Sequence, residues 1–460
     1  MGEEKQNGLY IRETIGGVPT EPAAKAQKVK KPSRKRTEVM VSTLKSDPYI
    51  WGIYLMLVLI SIIELYSASA AEVVGTNVYA PLIRHGIFLG IGFVLLYLVQ
   101  RIHYGYITRL AGLIGILSWL ALAYSTFMGV EINGAQRAFM LGPFTVQPPE
   151  IVKLTVIIWL AAILAKSQIP HDVRTSGIVY SAIIVAAFGG LLALNGLTNT
   201  LLVMVVSVSM FLICGIPLKK ILIVGGVYTA LFGVFYLSTK MINRSSEFDK
   251  VGETEQVVQA ASGDHSLGSQ TQINRVVRFF KGVHPEDSLT DENRQVIMAK
   301  LAQARGGIVG KGFGNSRESV RLPLAFSDYI YSIVIEESGL IGGIFLMILY
   351  LLLLARAGYV AYHLNRALPA FLILGCAILI VFQALVHMAI VTGLFPVSGQ
   401  PLPLISKGGT SILVMSVAIG IMLSVSKYAT RQKEGKSQRD KDEAQHLGDD
   451  MNAINASAVN

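Results

Sequence analysis

The chain has 460 residues, of which 52% are hydrophobic and 15% charged, and its mean hydropathy is +0.52. Soluble domains carry about 25% charged residues, so there is too little charge here to cover an aqueous surface of this size. An ordinary cytosolic enzyme, a disordered protein and a nucleic-acid-binding domain are excluded as first readings. A polytopic, all-α membrane protein remains.

The formal net charge of +10 has a local source: Lys25, Lys28, Lys30, Lys31, Arg34, Lys35 and Arg36 crowd one stretch before the first apolar run. No aromatic interleaving or reader motif accompanies them, so no nucleic-acid partner is expected. Such a cluster sets topology and touches anionic membrane lipid. Residues 1–46 read as a disordered basic cytoplasmic tail. Cys214 and Cys376 both lie inside apolar runs and offer neither metal spacing nor a disulfide framework.

A bilayer takes about 20 apolar residues to cross. Runs of that kind predict about ten helices, at 48–70, 80–100, 108–128, 149–166, 176–194, 197–214, 217–239, 326–356, 368–393 and 408–427. With the N-terminal tail inside, the connections Arg101 to Arg109, Lys166 to Arg174, Lys219–Lys220 and Arg356 to Arg366 also fall inside, and all are basic. The opposite connections 71–79 and 195–196 carry no Lys or Arg, as the positive-inside rule requires. The membrane domain then covers 47–428, and residues 429–460 form a second disordered cytoplasmic tail.

Residues 240–325 form a long extracytoplasmic loop between helices 7 and 8. Its first half, Ser245 to Gln272, is polar. Its second half contains the basic-aromatic run Arg275 to Phe280, a helical pattern over Gln295 to Gln303, and glycines at 306, 307, 310, 312 and 314. A long connection in a compact protein is commonly functional, and this one reads as an ordered platform on the membrane.

Ionisable groups within or beside spans mark functional positions. Arg137 lies in the second outer loop. Glu150 and Lys153 open the fourth helix after Gln147-Pro148-Pro149, Asp328, Glu336 and Glu337 enter the eighth, and Lys407 precedes the tenth. Together they predict a polar cavity open to the outside. A bland reading stands beside this one. Glu150 and Lys153 are three apart and can simply pair, and Pro148-Pro149 is a good helix start. Glu64, in mid-span, needs a partner or a cavity. The loop acids Glu286, Asp287, Asp291 and Glu292 are not ranked by composition.

Several motifs recur in order along the chain. They are Tyr66-Ser67-Ala68-Ser69; Gly134-Ala135-Gln136-Arg137; Gln147-Pro148-Pro149-Glu150-Ile151-Val152-Lys153; Arg275-Val276-Val277-Arg278-Phe279 before Pro285-Glu286-Asp287; Gly310-Lys311-Gly312-Phe313-Gly314-Asn315-Ser316; Asp328-Tyr329-Ile330-Tyr331; Glu336-Glu337-Ser338-Gly339; and Gly393 through Ser411 with Pro401-Leu402-Pro403 and Gly408-Gly409. In this set the chain resembles the SEDS family (shape, elongation, division and sporulation), whose best-known members are RodA and FtsW, and it is more similar to the FtsW branch. It departs from the family pattern in carrying Lys407 for Tyr, Pro149 for Ser, Leu324 for Glu and Ser288 for Pro. Asn195 to Asn199 replaces a Pro-Asp-x-Gly-Thr motif.

The resemblance implies an inverting, lipid-linked glycosyltransferase that polymerises lipid II into peptidoglycan strands for septal wall synthesis. The protein would sit in the bacterial cytoplasmic (inner) membrane at the division septum, with both termini cytoplasmic. The implied partners are lipid II, a class B penicillin-binding protein and other divisome proteins. No organic cofactor is implied, and a divalent cation, Mg or Mn, stays open. By resemblance the essential acid falls on Asp287, with Asp291 in reserve. Arg137, Glu150, Lys153, Arg275 and Gln295 become the substrate-binding set, with Lys407 added as a feature of this chain rather than of the family. A lipid II flippase or other transporter, and a non-enzymatic scaffold for the penicillin-binding protein, are the rival readings.

Overall fold

The computed structural model describes residues 46–69, 80–132, 135–141, 144–169, 172–229, 279–280, 294–319, 321–322, 325–430 and 432. The N-terminal tail, nearly all of the C-terminal tail, and Arg275, Asp287 and Asp291 lie outside the described residues.

The described helices are α1 Pro48–Ser69, α2 Ala80–Val99, α3 Tyr104–Arg109, α4 Ala111–Met128, α5 Pro148–Lys166, α6 Thr175–Asn195 and α7 Leu197–Ile213. After them come α8 over 218–229, α9 Arg294–Gly306, α10 Ile330–Tyr362 and α11 Ala367–Val391, and α12 Gly409–Thr430. Eight of these are long and apolar enough to cross a membrane, and α7 is a shorter apolar helix. The chain is thus a multi-span helical membrane protein. Eight full-length spans are described where hydropathy predicts about ten, because α7 falls short of full length and only 218–229 of the 217–239 run is described.

Burial separates the helices into a centre and a rim. The apolar windows of α5, α11 and α12 are 72%, 72% and 78% buried, whereas those of α2 and α4 are 28% buried. A helix that is apolar all round belongs inside, and α5 bears this out with fourteen buried residues, Glu150 and Lys153 among them. The rim helices turn residues such as Ile83, Ile87, Leu113 and Leu117 outward, where lipid is the solvent.

Two small sheets lie outside the bundle. β1 Val130–Ile132, β2 Ala135–Leu141 and β3 Phe144–Val146 form an antiparallel sheet in that order, in the segment read from the sequence as an outer loop. It carries Arg137 on β2. β4 Gln168–Ile169 and β5 Asp172–Val173 make a hairpin at the other end.

α10 is broken. Gly339 has φ 74 and ψ −177 inside it, a backbone that residues with a Cβ rarely adopt. Non-helical backbone at membrane depth survives only where protein satisfies its polar groups. Here the segment after α9 does so. Lys311 N–H donates to Glu336 O at 2.9 Å and Gly312 N–H to Glu337 O at 2.9 Å, while Leu340 N–H donates to Gly307 O at 3.0 Å. The chains approach so closely that a Cβ on Gly310 would meet the Glu337 carbonyl and lie 2.5 Å from Gly339 N. The half-helix from Ile330 to Glu337 is buried throughout. The sequence reading started this span at 326; residues 325–329 are instead a turn.

Candidate functional site

The Pro148 end of α5 holds a charged pair. Pro148 and Pro149 occupy the first helical positions, where a missing N–H costs nothing. One turn in, Lys153 Nζ lies 2.6 Å from Glu150 Oε1 and donates to Gln383 Oε1 of α11 at 2.7 Å. Both charged residues are buried, Lys153 at 1% exposure and Glu150 at 3%. The structural reading of this pair from spacing is therefore met, but the pair is not a surface one. Two charges this deep are held only with hydrogen bonds beyond each other, and Gln383 supplies one. Glu150 Oε2 has no partner among the described residues.

A strap, residues 399–408, crosses this end of the bundle before α12. Side chains from three helices hold its carbonyls. Gln383 Nε2 donates to Pro401 O at 3.1 Å, Tyr350 Oη to Pro403 O at 2.6 Å and Ser61 Oγ to Ile405 O at 3.3 Å. His387, one turn beyond Gln383, sets Nδ1 2.6 Å from Gln400 O. A carbonyl can only accept, so Nδ1 carries the proton, and the buried Nε2 has no partner among the described residues. Gln400 Nε2 reaches Asn199 Oδ1 at 3.0 Å, joining α7 to the same network. Leu404 is the one non-glycine with positive φ among the described residues, at 65, a strained backbone inside the strap. Lys407 donates its N–H to Phe326 O at 2.9 Å and places Nζ 5.6 Å from the Phe326 ring centre.

A second set of carboxylates lies beneath the loop that follows α9. Glu336, 1% exposed, accepts from Ser316 Oγ at 2.5 Å and from the N–H groups of Arg317 and Glu318 at 3.1 and 3.3 Å. Glu337 accepts from Ser67 Oγ of α1, and Ser67 in turn accepts from Gly314 N–H at 3.0 Å. Glu64, one turn before Ser67, is buried, and its Oε2 has no partner among the described residues. Ser61 Oγ sits 2.8 Å from His85 Nε2. Glu318, fully buried, takes Arg305 of α9 and, at 3.8 Å, Arg321.

Of the site residues expected from the sequence, Glu150 and Lys153 touch each other, and Lys407 stands on the strap that Gln383 ties to Lys153. Gln295 opens the second half of the loop on α9 and is half-buried, with no bond to these three among the described residues. α9 itself follows the helical spacing read in the sequence. It packs through Ala299, Ala302 and Gly306, and Gln303 Nε2 pins it to Ser332 Oγ at 3.2 Å and Val391 O at 2.8 Å. Asp328, expected inside the eighth helix, precedes it and accepts from Ser327 Oγ at 2.6 Å. Gln383, His387, Gln400 and Asn199 were missed. Their signal is polarity inside apolar runs, with 383 and 387 one turn apart on one face. Among the described residues no group of three His, Cys, Asp or Glu side chains could hold a metal ion.

The model for FtsW, RodA and SpoVE, described as "Cell cycle protein", matches residues 47–431. The chain belongs to this family. Among curated relatives it is 30% identical over 399 residues to a Trichlorobacter lovleyi protein named "Probable peptidoglycan glycosyltransferase FtsW", covering 85% of this chain and 96% of that protein. It is 27% identical over 402 residues to stage V sporulation protein E of Bacillus subtilis, covering 85% of this chain and all of the relative. A solved structure described as "Structural coordination of polymerization and crosslinking by a peptidoglycan synthase complex" superposes with TM-score 0.62 at 25% identity, covering 84% of this chain and 99% of the other. RodA of Thermus thermophilus shares the fold, with TM-score 0.56 at 24% identity and coverage of 84% and 97%.

Proposed function

We propose that this member of the family is a peptidoglycan glycosyltransferase that polymerises lipid II into glycan strands. The observation that carries the reading is a polar layer at one end of an apolar bundle, centred on the buried Glu150–Lys153 pair, in a chain whose curated relatives are named for that activity. A lipid-linked sugar needs such a layout: apolar helices for the lipid, and a polar end where sugar and pyrophosphate meet water.

The chemistry fixes what the residues must do. A sugar 4-hydroxyl attacks an anomeric carbon, the bond to the pyrophosphate breaks, and the α-linked donor becomes a β-linked product. The hydroxyl must lose its proton as the new bond forms, and a positioned carboxylate takes it. Asp287 is assigned that role, with Asp291 in reserve. The departing pyrophosphate needs positive charge rather than a proton, and Arg137, Arg275 and Lys407 are assigned to it. Lys153 is buried, with two of its three N–H donors on Glu150 and Gln383, so with Glu150 it holds α5, α11 and the strap in register. Gln295, on α9, binds sugar or peptide. A divalent cation, Mg or Mn, would be held by the loop acids and the substrate's own phosphates.

The functional setting is proposed on the same footing. The protein works in the bacterial cytoplasmic membrane, with both termini cytoplasmic and the 240–325 loop outside. It acts at the division septum with a class B penicillin-binding protein and other divisome proteins. The partner assignment rests on the structural neighbour whose description joins polymerisation to crosslinking.

The test is lipid II polymerisation by the purified protein with and without its cognate penicillin-binding protein, beside the partner alone. Wild type should make polymer and Asp287→Asn none, with folding intact. Loss in Asp291→Asn alone would move the base by four residues. A broken, partly buried α10 and the mid-span Glu64 would also suit a transporter. Movement of labelled lipid II across liposomes without polymer would decide for that second reading.

A further inference from the structure

The end of the bundle opposite the site gathers cations, three of which have no carboxylate partner among the described residues. Two described carboxylates stand there, and both are taken. Asp47 pairs with Arg356 at 2.7 Å and Asp172 with Lys220 at 2.5 Å. Lys427, on the last turns of α12, is only 8% exposed and has no carboxylate within ion-pair distance among the described residues. Its charged neighbour is Arg101, a like charge, on the turn that follows α2. Ser424 Oγ donates to Ile102 O at 2.6 Å, which ties the backbone of that turn to α12.

A third cation completes the group. Arg366, on the turn between α10 and α11, places its guanidinium 6.0 Å from the Tyr428 ring centre and interacts with Tyr104. Tyr104 and Tyr428 meet edge to face at 5.3 Å, and His103 stacks on Tyr104 at 4.3 Å. Arg101 lies 4.4 Å from the Tyr97 ring centre. The aromatic rings thus hold the guanidinium groups but supply no negative charge. Gln432 bonds Tyr428 Oη at 2.9 Å and accepts from Asn365 N–H at 3.2 Å, which closes the far side.

Burying an ammonium beside a like charge is unfavourable unless an anion is delivered. Here four chain segments converge to do so at the end of the apolar bundle, the depth at which lipid phosphates lie. Basic pockets between membrane helices bind anionic headgroups by this logic. We propose that Lys427, Arg101 and Arg366 form a binding site for the phosphate of an anionic phospholipid, separate from the polar layer at the other end.

The experiment uses the full chain in neutral detergent with dioleoyl phosphatidylglycerol, dioleoyl phosphatidylcholine or inorganic phosphate at matched phosphorus. The readouts are the thermal unfolding midpoint and lipid adducts retained in native mass spectrometry. Phosphatidylglycerol should raise the midpoint by several degrees and leave a retained adduct, and phosphatidylcholine should do neither. Lys427→Met, which keeps the length and apolar stem, should lose at least half of the rise and the adduct. Arg101→Gln, at an exposed position, should weaken retention several-fold even if Lys427→Met does not fold. An equal response from wild type and variants overturns the proposal, and so does an equal effect of inorganic phosphate, which would make the site one for free anions. A variant carrying Glu434→Gln, Asp440→Asn, Asp442→Asn and Glu443→Gln tests the chain's own tail as the anion source. If phosphatidylglycerol acts only in that variant, the tail fills the site and the proposal fails.

Discussion

Gly310 offers a sharp test of the joint between the α9 loop and the broken α10. Its φ is +89, and an added Cβ would collide with the backbone of Glu337 and Gly339. Gly307, three residues earlier, has φ +59 and open space around a Cβ. Alanine at either position meets the left-handed backbone penalty, roughly 1–2 kcal/mol. At 310 it must also push the two strands apart. That endangers the bonds from Lys311 and Gly312 to Glu336 and Glu337, worth about 0.5–1.5 kcal/mol each. The expected loss is therefore roughly 2–5 kcal/mol for Gly310→Ala against roughly 1–2 kcal/mol for Gly307→Ala. Equilibrium unfolding in mixed micelles with sodium dodecyl sulfate measures both. Polymerisation should follow the same order, because the displaced carbonyls flank Glu336 and Glu337. Equal losses in the two variants would refute the close backbone joint as the source of stability.

Three further outcomes follow from buried charge. Lys153→Met should destabilise by about 3–5 kcal/mol because it strands Glu150; Glu150→Gln with Lys153→Met should recover much of that, and a double variant as unstable as the single one would contradict the pairing. Glu336→Gln should cost about 1–3 kcal/mol, since an amide cannot accept from Ser316 and two backbone N–H groups at once; an unchanged unfolding midpoint would remove that carboxylate from the account. Asp47 caps α1 through Tyr49 and Ile50 N–H at 3.0 and 3.3 Å and also binds Arg356. Asp47→Ala should therefore lose about 2–4 kcal/mol and Asp47→Asn, which keeps the cap, less. The same unfolding assay ranks them; equal losses would leave the cap no role, and an Asp47→Asn variant as stable as wild type would leave the ion pair none.

The spans were legible because twenty-residue apolar runs have few other uses, and their predicted ends fall within a few residues of most described helices. The Glu150–Lys153 contact was legible because a three-residue spacing on a helix brings side chains together. Gln383 was not, because its partner is 230 positions away and no local spacing encodes it. The break in α10 was hidden for a different reason. Gly339, Gly342 and Gly343 look alike in sequence, and membrane helices carry many glycines; only the loop packed against one of them decides which unwinds. The sheet over 130–146 has strands of three to seven residues, too short for alternation to stand out.

The strap also bears on how the protein is made. Ser61, in the first span, finds its acceptor on Ile405, 344 residues later, and Lys153 waits 230 residues for Gln383. At about 5–20 residues per second, Ser61 stands in the membrane for roughly 17–70 s before its strap acceptor is made, with His85 of the second span as its earlier partner. During that interval the Glu150–Lys153 pair, closed within one helical turn, stands without the Gln383 amide that completes it. Final assembly is therefore tied to the arrival of the strap, because its carbonyls are what Ser61, Tyr350 and Gln383 hold in common.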